Sequence, residues 1–269
     1  MLSAEATEIL EAAKRVLAGQ PSVRASAGLS ERIVETPWVA SHFKGGERVL
    51  DIGFTMSSLD YLGLLLELRR AREVTIEAID IVRPERVQRR YPAEWLAEVL
   101  ATPITIGDVR TLELPAARYD VVTCISTVEH IGFDEATHGD PVTAFARSST
   151  AEGVTKLRDP DVNREVLGQF HRALRPGGLA LISVPMGKGG PAVLKDSLGL
   201  YCAQWEYEAA SWRELTEAAG FELVEQRFAR LEADGTWHDV AGPADLRARS
   251  SEMQPHAAGC ALAALRRVN

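Results

Sequence analysis

The feature that most constrains this chain is an alternation of short apolar segments with amphipathic ones, several of the short segments ending in an acidic residue or a glycine. Residues 48–52 (RVLDI) are an apolar run that ends at Gly53. Residues 57–70 carry Leu59, Leu62, Leu65 and Leu66 at helical spacing, with Ser57 or Ser58 as N-cap. Residues 74–80 (VTIEAID) alternate as a strand does, and 86–100 read as a helix begun near Pro84 and interrupted at Pro92. Strands are expected at 104–106 and 119–126, a helix at 162–174 stopped by Pro176-Gly177-Gly178, and a strand at 179–184. A helix at 211–219 closes at Gly220, and 221–231 and 259–267 read as the last two strands. Two further helices, 4–18 and 30–43, precede Gly45-Gly46.

Strands alternating with helices imply parallel strands with helices on both faces, and right-handed crossovers leave few topologies. Ligands in such sheets sit at the carboxyl ends of the strands, where the strand order reverses. The loops after Ile52, Asp80, Ile106 and Ser126 are therefore expected to share one crevice. Two stretches exceed the minimal alternation, about 131–161 and 185–210. Loops this long inside a compact domain usually serve function. Both follow core strands on the ligand edge, so they are expected to form a lid together with the N-terminal helices. The organisation expected is a helical cap over 1–44 and one α/β domain over 45–269.

At 269 residues and 46% hydrophobic, the chain can bury one large core. Its net charge of −8 disfavours a nucleic-acid partner, which would call for a basic face. The one basic cluster, Arg83, Arg86, Arg89 and Arg90, reads as the solvated face of a helix. No apolar run approaches the roughly 20 residues that span a bilayer. The acidic, amphipathic start does not resemble an export signal. Cys124, Cys202 and Cys260 form an odd, unpatterned set that suits reduced thiols in a cytoplasmic protein, with Cys124 buried in its strand. Self-association is left open, and a homo-oligomer is compatible with the sequence.

Four motifs carry the candidate chemistry. In VLDIGFTMS, Asp51 ends a strand, and Gly53 allows close backbone approach before a helix begins. An acidic residue beside free amides matches the ammonium and carboxylate of an amino-acid group, whereas a pyrophosphate would be repelled by Asp51. Asp80 ends the next strand, where a carboxylate can take both hydroxyls of a ribose. Gly107-Asp108-Val109 follows the third, and Asp108 can accept from an exocyclic adenine amine. Ser126-Thr127-Val128-Glu129-His130-Ile131 follows the fourth and ends in polar groups where a reacting centre would lie.

With VLDIG, AID, IGD, YDVVTCISTVEHIG and LRPGGLALISVP in this order over residues 48–267, and AAGF before a later strand, the chain resembles the class I S-adenosylmethionine-dependent methyltransferase family. The resemblance implies a doubly wound, seven-stranded, mostly parallel sheet. It further implies that Asp51 and Gly53 cradle the methionine end of the cofactor, with Phe54, Thr55 and Ser57 in the same loop. Asp80 with Ile81 would take the ribose, Asp108 and Val109 the adenine, and Ser126 would lie beside the sulfonium. S-adenosylmethionine would be the donor and S-adenosylhomocysteine the product. Where the family's loop continues with two further glycines, this chain has Thr55 and Ser57, so the loop must take a different path. The Gly-x-Gly-x-x-Gly pattern of a nicotinamide enzyme is missing too.

Glu129 and His130 are the candidate catalytic residues. An imidazole can remove a proton from an attacking hydroxyl, although alignment alone supplies much of the rate in many methyl transfers. A contact or structural role for His130 remains open beside the general base. Glu129, His130, Asp134, His138 and Asp140 match no metal spacing and read as a solvated loop, so no metal is expected. His138, Tyr201, Trp205 and Tyr207 are candidates for lining an organic substrate, Lys188 and Lys195 for meeting an anionic group, and Trp212 for the core. The function expected is methyl transfer to a small molecule, on a hydroxyl of a sugar or natural-product scaffold. The alternatives are a nicotinamide-dependent oxidoreductase and a non-catalytic methyltransferase-like binding protein.

Overall fold

The computed structural model describes residues 2–21, 26–133, 148–154, 156–195, 201–246 and 257–268. Its main sheet has the order β3-β2-β1-β4-β5-β10-β8-β9 among the described residues. The strands are β1 (Arg48–Ile52), β2 (Thr75–Asp80), β3 (Ile104–Ile106), β4 (Tyr119–Ile125), β5 (Leu174–Pro185), β8 (Phe221–Leu231), β9 (Trp237–Val240) and β10 (Gly259–Arg267). β1 pairs in parallel with both β2 and β4, β2 with β3, and β4 with β5. β10 runs antiparallel between β5 and β8. The chain travels outward from β1 to β3, then returns across β1 to β4, which puts the order reversal between β1 and β4.

The doubly wound, mostly parallel class I architecture is thus present, with one strand beyond the expected seven. β9 forms a hairpin on the edge strand β8, with Phe228 opposite Val240 and Leu231 opposite Trp237. Its four residues, Trp-His-Asp-Val, are too few to show an alternation in the sequence. The long insert after β5 contains a second, two-stranded ribbon of β6 (Gly190–Lys195) and β7 (Tyr201–Glu206).

The helices are α1 (Ala4–Leu17), α2 (Arg32–Ser41), α3 (Leu59–Arg72), α4 (Ala93–Leu100), α5 (Val162–Ala173) and α6 (Ala209–Thr216). The helix expected over 86–100 begins only after Pro92, and two 3-10 turns, Pro84–Arg86 and Gln88–Arg90, occupy the stretch before it. Pro92 lacks an amide hydrogen and would cost a hydrogen bond inside a helix, so it stands at the N-cap of α4 instead. The core lies on the two faces of the sheet. On one, Leu62, Leu65 and Leu66 of α3 pack with Leu10 and Leu17 of α1 and Trp38 and Val39 of α2. On the other, Val166 and Phe170 of α5 and Trp212 and Leu215 of α6 pack under β4, β5 and β10. α3 is buried all round, with Leu62, Leu64, Leu65, Leu66 and Leu68 enclosed, because α1 covers its outer side. Gly63 makes that approach possible: a Cβ there would lie 2.8 Å from Leu10 Cδ2 and 2.7 Å from Trp95 Cη2. The N-terminal helices therefore share a core with the sheet and bring α2 up to its carboxyl edge.

Candidate functional site

Asp51, at the end of β1, is fully buried. Its Oδ1 accepts from Tyr61 Oη at 2.7 Å and Thr123 Oγ1 at 2.6 Å, while Oδ2 is enclosed and has no hydrogen-bond partner. Burial pushes its pKa up to about 6 against the pull of the two hydroxyls, with the charge of Asp80 adding to the rise. A buried carboxylate oxygen with an unengaged lone pair is the arrangement an ammonium group fits, and the amino-acid end of S-adenosylmethionine supplies one. The residues present thus suit the cofactor that the motifs imply.

Gly53 follows in the left-handed region, at φ +90°. A Cβ there would meet Thr127 Oγ1 at 2.6 Å and Thr127 Cγ2 at 2.7 Å, so the loops after β1 and β4 touch at this point. Phe54–Met56 then make a 3-10 turn in which Phe54 and Thr55 are buried. Asp80 holds this turn: Oδ2 accepts from the Thr55 amide at 2.7 Å and Oδ1 from the Val82 amide at 2.8 Å. Burial pushes Asp80 up to about 6 despite backbone amides at Val82, Thr55, Met56 and Ile81. From the other side, Arg90 Nη1 and Tyr91 Oη donate to the Thr55 carbonyl at 2.5 and 2.9 Å, and Arg90 Nη2 donates to the Ser57 carbonyl at 2.7 Å. Ser57 Oγ donates back to the Gly53 carbonyl at 2.9 Å. The loop without its further glycines is thus pinned on three sides. Asp80 keeps only its remaining lone pairs for ribose hydroxyls.

Asp108 is engaged by Arg110, whose Nη2 lies 2.6 Å from Oδ2 and whose backbone amide donates to Oδ1 at 2.9 Å. Val109 is buried against Leu50, Ile52 and Ile79. Ser126 ends β4 with φ +48°, a left-handed conformation that a serine rarely adopts. Its amide donates to Ser183 Oγ of β5 at 3.0 Å, which fixes the strained turn to the neighbouring strand.

The next turn carries Glu129 and His130. Glu129 is 1% exposed, and burial pushes its pKa up to about 8, offset in part by its own backbone amide, the Ser126 hydroxyl and Arg32. His130 Nδ1 lies 2.9 Å from the Ala203 carbonyl oxygen. A carbonyl only accepts, so Nδ1 carries the hydrogen, and Nε2 is the basic nitrogen of the neutral ring. Nε2 is 3.9 Å from Glu129 Oε1.

Of the aromatic candidates, Trp205 and Tyr201 are partly buried on β7, and the Arg158 guanidinium lies 5.5 Å from the Trp205 ring centroid. Tyr207 is fully buried: its hydroxyl donates to Asn163 Oδ1 at 2.7 Å and accepts from Arg158 Nη2 at 3.2 Å. Its ring therefore anchors the insert and does not line an open wall. His138, with Asp134 and Asp140, lies outside the described residues, as does Lys195's continuation over 196–200. Lys195 itself sits with its Nζ 5.5 Å from the Tyr201 ring centroid. Among the described residues, no three His, Cys, Asp or Glu side chains are gathered to hold a metal ion, and no helix is long and apolar enough to cross a membrane.

Sequence reasoning missed Arg158 and the polar face of α2. Arg158 Nε donates to the Ile131 carbonyl at 3.0 Å and Nη2 to the Val128 carbonyl at 2.8 Å, which ties the turn bearing Glu129 to the insert. Nothing near Arg158 in the sequence signals these partners. On α2, Arg32, Glu35, Thr36 and Val39 recur at helical spacing, and a charged residue on a core-facing stripe was a readable signal.

The comparisons with known proteins bear on the family and the fold. A family model described as a methyltransferase domain matches residues 29–226, well over half of the chain. A curated relative, acetylserotonin O-methyltransferase of Rattus norvegicus, is 38% identical over 69 residues, which are 23% of this chain and 16% of that protein. The match thus spans far less than two thirds of that relative's length. Among solved structures, the 4+2 cyclase SpnF aligns with a TM-score of 0.54 at 14% identity over 97% of this chain and 93% of that one. A SAM-dependent methyltransferase from Methanosarcina mazei aligns with a TM-score of 0.51 at 12% identity over 86% and 97%. These two likenesses speak for the fold alone. With the family model, the motif order and the ammonium-receptive Asp51 in agreement, this chain belongs to the class I S-adenosylmethionine-dependent methyltransferase family.

Proposed function

We propose that the protein transfers the methyl group of S-adenosylmethionine to a small organic acceptor, a hydroxyl on a sugar or natural-product scaffold. The observation that carries this reading is the enclosed, unpartnered Oδ2 of Asp51 at the sheet's order reversal, in a chain of the methyltransferase family. When bound, the donor supplies an electrophilic methyl on a cationic sulfur. The chain's own part is to bind, orient and take up a proton. Asp51 receives the donor's ammonium, and Asp80 holds the loop that shapes the ribose site. His130 Nε2, beside Glu129, accepts the proton that the acceptor hydroxyl loses as it attacks. The inserts over 131–161 and 185–210, with the helices of residues 1–44, act as a lid, and Trp205 and Tyr201 contribute apolar surface to the acceptor. Support for the lid comes from contact between the inserts: Ser148 and Tyr201 exchange backbone hydrogen bonds of 2.8 Å, and Phe133, Val154 and Ala203 form one cluster. A cytosolic setting is supported by Cys124, Cys202 and Cys260, which are buried as thiols and not joined in disulfides.

The likeness to a cyclase keeps a second reading alive, a methyltransferase-like protein that binds the donor and does not transfer its methyl group. Calorimetric titration with S-adenosylhomocysteine and, separately, with NADH tests the cofactor, and methyl transfer from labelled donor to panels of phenols, sugars and amines tests turnover. Micromolar binding of the first ligand, none of the second, and label on a hydroxyl acceptor are expected. Binding of NADH alone would replace the proposal with an oxidoreductase. Tight donor binding without transfer to any panel would favour the non-catalytic reading.

A further inference from the structure

A group of acids, three of them buried and Glu31 half-buried, stands apart from Asp51 and Asp80. Glu31 and Glu35 at the start of α2, Asp60 at the start of α3 and Glu129 all lie within electrostatic reach of one guanidinium, Arg32. Arg32 Nη1 answers Glu35 Oε2 at 2.7 Å, and Thr36 Oγ1 answers Asp60 Oδ2 at 2.8 Å. Glu31 Oε2, Glu35 Oε1 and Glu129 Oε2 are enclosed and make no well-formed hydrogen bond, with only the Ala257 backbone, the Ser183 hydroxyl and the Ser126 hydroxyl near the three carboxyls. Glu35 is 0% exposed and Glu129 1%. All four acids are held above their ordinary range, foremost by burial.

The fold does not account for them. Arg32 meets only one oxygen of Glu35, and leaving a buried acceptor without a hydrogen bond costs about 1–3 kcal/mol, so an apolar side chain of similar size would serve the core at least as well. Their position is informative: the Ser183 hydroxyl of β5 lies beside Glu35 and accepts from the Ser126 amide, and the Ser126 hydroxyl lies beside Glu129. The acids thus line the carboxyl edge of β4 and β5, next to the strained Ser126 where the acceptor should meet the donor. Among the described residues no three such side chains are gathered to hold a metal ion, whereas an organic cation asks for no such tight shell. The donor's ammonium already has Asp51, and its one sulfonium charge cannot answer three carboxylates.

Resting on the methyl-transfer reading, we propose that Glu35 and Glu129, with Glu31 behind them, form a receptor for an organic ammonium group carried by the methyl acceptor. The acceptor is then an amine-bearing scaffold, and its cation answers the enclosed oxygens that make no hydrogen bond within the fold.

The test compares charged and neutral ligands of one skeleton: phenethylamine and its N-trimethyl form against phenethyl alcohol. Each is titrated calorimetrically and by thermal shift into the free protein and into the S-adenosylhomocysteine complex. The ammonium probes are expected to bind at least tenfold tighter than the alcohol. Glu35→Gln should abolish that preference while leaving S-adenosylhomocysteine affinity within about twofold, and Glu31→Gln serves the same purpose should Glu35→Gln fail to fold. Equal behaviour of amine and alcohol, or an amine preference that survives the substitutions, overturns the receptor. Absence of S-adenosylhomocysteine binding overturns the donor reading alone, and the comparison on the free protein still decides the receptor.

Discussion

Asp51→Asn isolates what the end of β1 contributes. Asparagine keeps an acceptor at Oδ1 for Tyr61 and Thr123, which now donate at 2.7 and 2.6 Å, and replaces the unpartnered Oδ2 with an amide that cannot attract a cation. Losing a charge-assisted hydrogen bond to the donor's ammonium should weaken S-adenosylhomocysteine binding by about 1.5–3 kcal/mol, roughly 10- to 150-fold at pH 8. The pH dependence follows with a definite sign. In the fold Asp51 ionises near pH 6, above its usual 3.8. An acid raised in this way favours its protonated form in the folded state, so its destabilising effect is absent below about pH 4, grows between pH 4 and 6, and is complete above. The free Asp51→Asn protein should therefore be as stable as wild type at pH 4 and more stable at pH 8, by up to about 2–3 kcal/mol. Donor binding should show the opposite trend, since the ammonium needs the ionised acid: wild-type affinity falls below pH 6, and the variant loses most of that fall. Asp80 ionises in the same range but meets neutral partners, so its share is smaller. Calorimetry at pH 5.5, 7 and 8 with denaturant melts at pH 4 and 8 reads both effects. Affinity within twofold of wild type at pH 8 would place the ammonium elsewhere, and a variant less stable than wild type at pH 8 would make Asp51 a structural acceptor only.

Other substitutions probe the remaining parts of the site. Gly53→Ala forces a side chain into φ +90° and onto Thr127, and should lower stability by about 1–3 kcal/mol in urea melts and abolish S-adenosylhomocysteine binding. Glu129→Gln should reduce turnover about 10²- to 10⁴-fold with donor affinity nearly intact. It should also remove part of the stability loss that wild type suffers as pH rises from about 4.5 towards the 8 to which burial pushes Glu129, seen as a smaller gap between melts at pH 5 and 8.5. Arg158→Met deletes donors to Val128, Ile131 and Tyr207, and should cost about 2–4 kcal/mol and lower kcat more than donor affinity, measured by melts and single-turnover transfer.

Where a signal was local, the sequence carried it. β1, β3, β8 and β10 have the expected bounds, because each is a run of apolar or alternating residues closed by glycine or polar punctuation. Asp51, Gly53, Asp80 and Ser126 do converge at the carboxyl edge, since parallel strands place their ends side by side. What stayed hidden depends on partners distant in the chain. The β6–β7 ribbon exists because residues 190–195 pair with 201–206, and neither run is apolar enough to declare itself a strand. Tyr207 looks like a lining aromatic until Asn163 and Arg158, 44 and 49 residues away, are seen to satisfy its hydroxyl. Glu35 is the intermediate case: its helical phase points it inward, but only the packing of α2 reveals that Arg32 meets one of its oxygens and leaves Oε1 enclosed without a hydrogen bond.

The missing glycines after Gly53 show how a site can keep its purpose while its local chemistry changes. Glycines in such a loop let backbone amides turn freely towards a ligand. Here Thr55 and Ser57 stand in that stretch, and the backbone is held by Asp80 on the amide of Thr55 and by Arg90 and Tyr91 on its carbonyl. The freedom that glycine would supply is replaced by side chains that fix one conformation. A fixed loop loses less entropy when the donor arrives, but it makes the donor site depend on Arg90, a residue 37 positions beyond Gly53. It also explains why both oxygens of Asp80 are already engaged: the acid that would meet the ribose has become the strut that shapes the loop beside it. On the proposed reading, recognition of the donor then falls chiefly to Asp51, whose Oδ2 is enclosed and makes no hydrogen bond.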